Sequence, residues 1–158
     1  MSSALRQVVW LSLLLIWLPA CSATNSPTAT EVLNHGQCRG VAAGVSLVAT
    51  GDLSRIRGGL LSISPPPPVP ATPGSLLIAI SRGPQPTPGY ALSLSEVVTN
   101  GAVAVIHLQW GQPAPGTVQA QVMTHPCVVV EIPSANLREL RAVDQAGNEI
   151  GSIKLPGG

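Results

Sequence analysis

Two short clusters of histidine and cysteine hold the side chains best suited to chemistry. His35-x-x-Cys38 and His125-x-Cys127 together offer two imidazoles and two thiols. Four such groups suit a tetrahedral zinc site, but His-x-Cys is an uncommon ligand spacing, and Pro126 restricts how its side chains converge. The two cysteines could instead stay free, or they could form a disulfide that closes a loop of about 90 residues. We predict the disulfide and no metal, with the other two alternatives left open.

Motifs of the common enzyme classes are missing from the sequence. It contains no GxSxG, no HExxH and no phosphate loop that ends in Gly-Lys-Ser/Thr. The block Gly51-Asp52-Leu53-Ser54 is superficially similar to the GDSL block of hydrolases, but its last two residues are exchanged. His125 and Cys127 are neighbours in sequence, yet Pro126 between them favours a turn over a nucleophile–base pair. We therefore predict a protein that is not an enzyme, with no catalytic residue and no cofactor.

The first 21 residues have the pattern of an export signal. Arg6 precedes an apolar run over 8–18, which is too short to span a bilayer as a helix, and Ala20 stands before Cys21. The sequence Leu-Pro-Ala-Cys that ends at Cys21 resembles a bacterial lipobox, in which the cysteine receives lipid and becomes the new N-terminus. The resemblance implies lipidation of Cys21, anchoring at the outer membrane of a bacterial cell envelope, and an oxidising compartment that favours the disulfide.

Composition favours a β protein that is punctuated by turns. The 158 residues include 16 glycines and 16 prolines, and these residues are costly inside helices. The formal net charge is +1, and it becomes zero once the residues before Cys21 are removed. Nucleic-acid binding normally needs a basic excess, so the sequence argues against a nucleic-acid partner.

The sequence divides into four parts. We expect a lipoprotein signal peptide in a helix over 1–20, a flexible tether over 21–30, an N-terminal segment with a proline-rich connector over 31–74, and a β domain over 75–158. One domain is expected at this length.

Strand patterns predict an all-β fold, either a small antiparallel β-sandwich or a partly open barrel of six to eight short strands. Hairpins are expected at Asn100-Gly101 and near Gly147-Asn148. Val118, Ala120 and Val122 alternate with glutamines, which predicts another strand. Residues 134–140 predict one or two helical turns capped by Ser134. Further strand signals lie at 45–49, 60–64, 76–81, 90–95, 102–110 and 128–132.

The most informative segment is the turn Gly83-Pro-Gln-Pro-Thr-Pro-Gly-Tyr90. With the P-x-x-G block at 113–116 and the Pro-x-x-Val-Val-x-Ile-Pro block at 126–133, it resembles the C-terminal domain of the PrcB family over 76–133. Pro88 replaces a glycine of the family pattern. The resemblance implies a small, lipid-anchored, non-catalytic subunit that stabilises or presents a partner protein such as a secreted protease.

The rigid turn predicts a docking surface, and we assign partner binding to its five consecutive residues Pro86, Thr87, Pro88, Gly89 and Tyr90. The alternative for Tyr90 is a purely structural role in the core. The same five residues also resemble the wedge of chagasin-like inhibitors, which implies inhibition of cysteine proteases as the alternative function. The two other binding loops of that family have no counterpart in the sequence.

Overall fold

The structure is a computed structural model that describes residues 29–38, 40–56 and 72–156. The predicted signal helix, the lipidation site Cys21 and most of the tether lie outside the described residues, as do the proline-rich run and the strand expected at 60–64. Within the described ranges, no helix is long and apolar enough to cross a membrane.

Eight strands form two four-stranded sheets that pack face to face. The first sheet has the order β1-β6-β3-β2, and the second has the order β4-β5-β7-β8. All pairs are antiparallel except β5 with β7. The predicted all-β sandwich is confirmed, and the sheets do not close into a barrel. The strands are β1 Thr30–His35, β2 Gly44–Val48, β3 Ser75–Ser81, β4 Ala91–Asn100, β5 Val103–Gly111, β6 Cys127–Pro133, β7 Glu139–Val143 and β8 Glu149–Lys154.

The main core lies between the two sheets. Side chains alternate along a strand, so β6 turns Val128, Val130 and Ile132 toward the second sheet, where they are fully buried. Ile78 and Ile80 of β3 lie in the same layer and face Leu108 and other residues of the second sheet. This layer removes most large aliphatic side chains from water, which is the main source of stability in a chain with few aromatics.

A second, smaller core covers the outer face of the first sheet. Val129 and Leu77 point into it, together with Leu33 from β1 and Ile56 from a short helix, α1 Leu53–Ile56. A 3-10 turn, Thr50–Asp52, leads into that helix. Because both faces of β3 and β6 are covered, the strands appear in sequence as continuous apolar runs rather than as alternating ones.

Both open sides of the sandwich are closed by contacts between edge strands. The amide of Leu94 in β4 donates a 2.7 Å hydrogen bond to the carboxylate of Glu31 in β1, and each strand has a register shift at that point. On the other side, a Cβ added to Gly151 in β8 would lie 3.0 Å from the Cα of Gly44 in β2. Such contacts protect sheet edges from pairing with other chains.

Two local predictions are wrong. Residues 118–122 form no strand, and Val118 is fully exposed because no neighbouring strand supplies a partner. Residues 134–140 form a turn rather than a helix: the hydroxyl of Ser134 donates to the carbonyl of Gly74 instead of capping, and Glu139 already belongs to β7. The predicted hairpins at Asn100-Gly101 and Gly147-Asn148 are confirmed as the connections β4–β5 and β7–β8.

Candidate partner-binding site

Four connections meet at one end of the sandwich, which we call the four-loop end: residues 36–43, 82–90, 112–126 and 144–148. Isolated bridges join Gln37 to His125 and Gln85 to Thr124, so three of these connections are linked through their backbones. The fourth joins the group through an ion pair between Arg82 and Asp144. The β4–β5 hairpin and the start of β1 lie at the opposite end.

The turn at 83–90 is held in place by hydrogen bonds to the β5–β6 connection. Gln85 and Thr124 exchange two backbone hydrogen bonds of 2.8 and 2.9 Å, and the Thr124 hydroxyl donates to the Thr87 carbonyl at 3.0 Å. At its start, the amide of Gly83 donates to the hydroxyl of Ser81, which donates to the carbonyl of Pro126. These contacts fix the turn before any partner binds.

Two glycines of the turn have backbone angles that other residues rarely adopt. Gly83 has φ +82° and Gly89 has φ +94°. Gly89 also packs against the ring of Pro113, and a Cβ at position 89 would lie 3.0 Å from its Cγ. The glycine of the Pro-Thr-Pro-Gly sequence, Gly89, is therefore required for both its backbone angle and its small size.

An aromatic pair lies where this turn enters β4. Tyr90 and Trp110 stack with ring centroids 5.4 Å apart and planes 25° apart, and both are half-buried. Trp110 also packs against the main core, so it connects Tyr90 to the interior. The guanidinium carbon of Arg82 lies 5.1 Å from the centroid of Trp110, within the range of a cation–π contact.

Asp144 organises the fourth loop. Its carboxylate accepts hydrogen bonds from the amides of Ala146 and Asn148 and from the Asn148 side chain, and it pairs with Arg82 at 3.2 Å. Burial raises the pKa of this carboxyl, but the hydrogen bonds from Asn148 and Ala146 and the Arg82 charge outweigh it, so the pKa lies below its ordinary value. Asp144 is therefore ionised at neutral pH and holds Arg82 over Trp110.

Gln145 extends the second sheet with its side chain. Its amide oxygen accepts a 2.8 Å hydrogen bond from the Trp110 amide, and its amide nitrogen donates to the Trp110 carbonyl at 3.1 Å. These are the two bonds that a neighbouring strand would make, so the backbone of Trp110 is paired beyond the end of β7. Trp110 is thereby held by Arg82, which contacts its ring, and by Gln145, which bonds to its backbone.

The β5–β6 connection carries the most exposed apolar side chains near the turn. Val118 is 100% exposed, Met123 62% and Val122 53%. Sequence patterning assigned the two valines to a strand face and missed the exposure, since alternation does not reveal whether a neighbouring strand exists. Exposed apolar residues beside a rigid turn are typical of an interaction surface.

The cysteines of the two His/Cys clusters form the predicted disulfide, Cys38–Cys127, with Cα atoms 5.8 Å apart and both residues fully buried. This linkage excludes the zinc site and free thiols as alternatives for this pair, because disulfide sulfurs are not thiolate ligands. The bridge joins the first connection to the start of β6, directly beneath the four-loop end. Across the described ranges, no group of three or more His, Cys, Asp and Glu residues could hold a metal.

The sequence-predicted binding residues lie together on this end. Pro86 and Gly89 are exposed, whereas Thr87, Pro88 and Tyr90 are half-buried. Sequence reasoning did not identify Arg82, Trp110 or Asp144, because their contacts join residues that are far apart in the chain. His107, which we placed in a strand, lies in β5 opposite Glu96.

The structure defines a β-sandwich module in which four connections form one linked surface at one end. Residues 76–133, a little over a third of the chain, match the family described as PrcB C-terminal. The segment spans β3 to β6, including the turn at 83–90 and the exposed loop. Comparisons with curated proteins and with solved structures found no match.

Proposed function

We propose that this protein is a non-catalytic binding subunit that stabilises or presents a partner, in particular a subunit of a secreted protease complex. The family match supports association with a protease complex. The four-loop end would bind the partner, with contacts from Pro86, Thr87, Pro88, Gly89 and Tyr90.

The observation that carries the proposal is the fixed turn at the four-loop end. Hydrogen bonds to Thr124 and packing of Gly89 on Pro113 hold it in one conformation. A surface that is already ordered loses little conformational entropy when it binds, so a small exposed area can give useful affinity. The adjacent exposed side chains of Val122 and Met123 add apolar area to the same surface.

We also propose that lipid on Cys21 holds the protein at the outer membrane of a bacterial envelope. The chain enters the sandwich at Thr30, the start of β1, whereas β1 ends at the four-loop end. Residues 22–29 can span at most about 27 Å. An anchor on Cys21 would therefore keep the domain close to the membrane and attach it through the end opposite the four-loop end. The four-loop end is then not the point of attachment and is left free to bind a partner.

The test compares protein abundance in the cell envelope of strains that lack or carry this chain. Loss of the gene should lower the abundance and half-life of a peptidase or its associated subunits, measured by quantitative mass spectrometry. The unmodified chain should restore them, and Pro86→Lys should not. Pro156→Lys is the matched control, because Pro156 is also exposed but lies at the opposite end. Unchanged peptidase levels in the deletion strain would contradict the proposed function.

Inhibition of a cysteine protease remains the alternative function, because the exposed Pro86 could enter an active-site cleft as a wedge. Titration of a papain-type protease with the protein distinguishes the two functions. Inhibition that Pro86→Lys abolishes would support the inhibitor, whereas full protease activity at micromolar protein would eliminate it.

A further inference from the structure

A cavity that we call the leucine cavity lies at the end of the sandwich opposite the four-loop end. Its volume is about 370 Å³, within the range of small-ligand pockets. Both sheets line it: Leu47 of β2 and Leu76 of β3 belong to the first sheet, and Leu155 follows the last residue of β8 in the second. The lining is completed by Pro156 and by four residues of the β6–β7 connection, Ser134, Asn136, Leu137 and Arg138.

The leucine cavity continues the main core to the surface. Leu137 is buried in that core, and Leu76 and Leu155 pack against it. Leu47, in contrast, is 43% exposed. The amide of Leu155 donates a 2.8 Å hydrogen bond to the carbonyl of Arg138, which holds two parts of the wall together. The cavity is therefore already formed, and an apolar chain that enters it orders few protein side chains.

The polar groups of the cavity favour a ligand with an anionic head group. Arg138 is the one charged residue among the described residues that line it, and it is exposed. Within the part of the chain that the structure describes, Arg138 forms no ion pair, and the adjacent acid Glu139 is paired with Arg141 instead. A guanidinium binds a phosphate through two parallel hydrogen bonds. An apolar wall beside such a cation fits an acyl chain that is joined to a phosphate.

The position of the cavity identifies the source of this ligand. Strand pairing places Thr30, where the tether enters the sandwich, at the same level as Val48, which follows Leu47. They lie on the two edges of the first sheet, three strand spacings or about 14 Å apart. With lipid on Cys21, the tether over 22–29 spans at most about 27 Å and keeps the cavity within reach of the bilayer. Phospholipids of that bilayer combine an acyl chain with a phosphate.

We propose that the leucine cavity binds one acyl chain of a membrane phospholipid, with Arg138 at the phosphate. The inference rests on the proposed lipid anchor and adds an orientation to it. The tether limits only the distance between the domain and the membrane, whereas a phospholipid in the cavity places this end of the sandwich on the bilayer. The four-loop end then faces away from the membrane, and a partner that binds there does not compete for the cavity.

Photo-labelling of the full chain in vesicles tests the cavity. The purified protein is reconstituted in phosphatidylcholine vesicles that contain phosphatidylglycerol with a diazirine in one acyl chain, and labelled residues are mapped by mass spectrometry. We expect labels on Leu47, Leu137 and Leu155. Labels confined to the tether over 22–29, or no labels on the residues that line the cavity, would overturn the proposal.

Substitutions of Leu47 distinguish the cavity from general contact with lipid. Leu47→Asp should lower the labelling of Leu137 and Leu155 about tenfold, because it places a carboxylate in the apolar wall. Val98→Asp is the matched control, since Val98 is also 43% exposed but does not line the cavity. Equal labelling of these two variants would contradict the proposal.

A second variant keeps the test valid where Leu47→Asp does not fold. Leu47→Trp fills the cavity with an apolar side chain and adds no charge, so it should also exclude the acyl chain and reduce labelling. Val98→Trp is its control and should be labelled like the unmodified chain. Full labelling of the Leu47→Trp variant would contradict binding inside the cavity.

The head group is tested with Arg138→Gln and two probes that share one photoreactive acyl chain. Labelling by the phosphatidylglycerol probe should fall about threefold, and labelling by the uncharged diacylglycerol probe should not change. Arg141→Gln is the control, because Arg141 already has two carboxylate partners and does not line the cavity. Equal effects of Arg138→Gln on the two probes would overturn the assignment of Arg138 to the phosphate.

The cavity, the anchor and the partner surface fail separately in these experiments. The intact mass of the same sample shows whether Cys21 carries lipid. A lipidated protein whose cavity is not labelled overturns the cavity alone, whereas an unlipidated Cys21 overturns the anchor and the orientation that rests on it. Leu47→Asp should leave the partner stabilised, because the cavity and the Pro86 surface lie at opposite ends.

Discussion

Gly89 packs against Pro113 so closely that a Cβ at position 89 would lie 3.0 Å from the proline Cγ and 3.3 Å from its Cβ. The contact joins the β3–β4 turn to the β5–β6 connection, each of which crosses from one sheet of the sandwich to the other. Together with the hydrogen bonds between Gln85 and Thr124, it makes the two loops one rigid surface. Partner binding is proposed at this surface.

Replacing Gly89 by alanine should destabilise the fold more than the same change at Gly116. Both glycines have positive φ, +94° and +79°, so each substitution should cost about 1–2 kcal/mol of backbone strain. Only Gly89→Ala also meets a neighbour, because nothing lies within 4 Å of a Cβ at Gly116. We expect about 1 kcal/mol of extra loss, measured by urea denaturation. Equal losses for the two variants would show that the contact with Pro113 does not constrain the turn.

Removing the disulfide should lower the stability of the whole domain. Cys38 and Cys127 are separated by 89 residues, and the chain-entropy relation gives a stabilisation of about 4–5 kcal/mol for such a loop. The double variant Cys38→Ala/Cys127→Ala should show this loss in denaturation, and faster amide exchange in the first connection. Cys21→Ser, which leaves the bridge intact, should unfold like the unmodified protein. A double variant as stable as the parent would rule out a stabilising role for the bridge.

Asp144→Asn should destabilise the protein at neutral pH and have little effect in acid. The pKa of Asp144 is lowered in the folded protein, so its carboxylate stabilises the fold at pH values above about 4, the pKa of an unfolded aspartate. That stability is lost as the pH falls through the lower, folded pKa. The stability difference between variant and parent should therefore shrink below pH 4.

Two features make this pH experiment specific. Glu131, whose pKa is lowered by hydrogen bonds from Ser75 and Thr72, is present in both proteins and so cancels in the difference. Asp52→Asn serves as the control, because the Asp52–Arg55 ion pair is exposed and contributes little. If the difference in unfolding free energy between the Asp144→Asn variant and the parent does not change with pH, the stabilising role of the Asp144 carboxylate is contradicted.

Arg82 and Trp110 should be energetically coupled. The guanidinium lies 5.1 Å from the ring centroid, and Asp144 holds it there. A double-mutant cycle of Arg82→Gln and Trp110→Leu should give a coupling of about 0.5–1 kcal/mol. A matched cycle that pairs Arg141→Gln with Trp110→Leu should give additive effects, since the ion-pair partners of Arg141 are Glu139 and Glu149. Additive effects of Arg82→Gln and Trp110→Leu would contradict a stabilising cation–π contact between these two residues.

Local sequence signals predicted much of this fold. The Asn100-Gly101 hairpin follows from two residues that accept the required turn angles, and β6 follows from a short run of three valines that ends soon after at Pro133. The disulfide was predictable because the expected lipidation of Cys21 would leave Cys38 and Cys127 as the two cysteines able to pair. The region at 118–122 was misjudged because alternation specifies a strand face but not a neighbouring strand.

The candidate site was predictable only in part. The turn at 83–90 could be predicted because its prolines and glycines indicate a rigid turn from the local sequence alone. The cluster of Arg82, Trp110 and Asp144 was not predictable, because it depends on the parallel pairing of β5 with β7, which brings the fourth loop beside the aromatic pair. Long-range pairings of this kind leave no local pattern in a single sequence.

Site-specific photo-cross-linking in cells that naturally produce this protein tests the central claim most directly. A photoreactive residue at position 86, on the four-loop end, is compared with the same residue at position 156, at the opposite end. We predict that position 86 captures a subunit of a peptidase complex, identified by mass spectrometry, and that position 156 does not. No peptidase-complex adduct at position 86, or the same adduct at both positions, would contradict partner binding through the four-loop end.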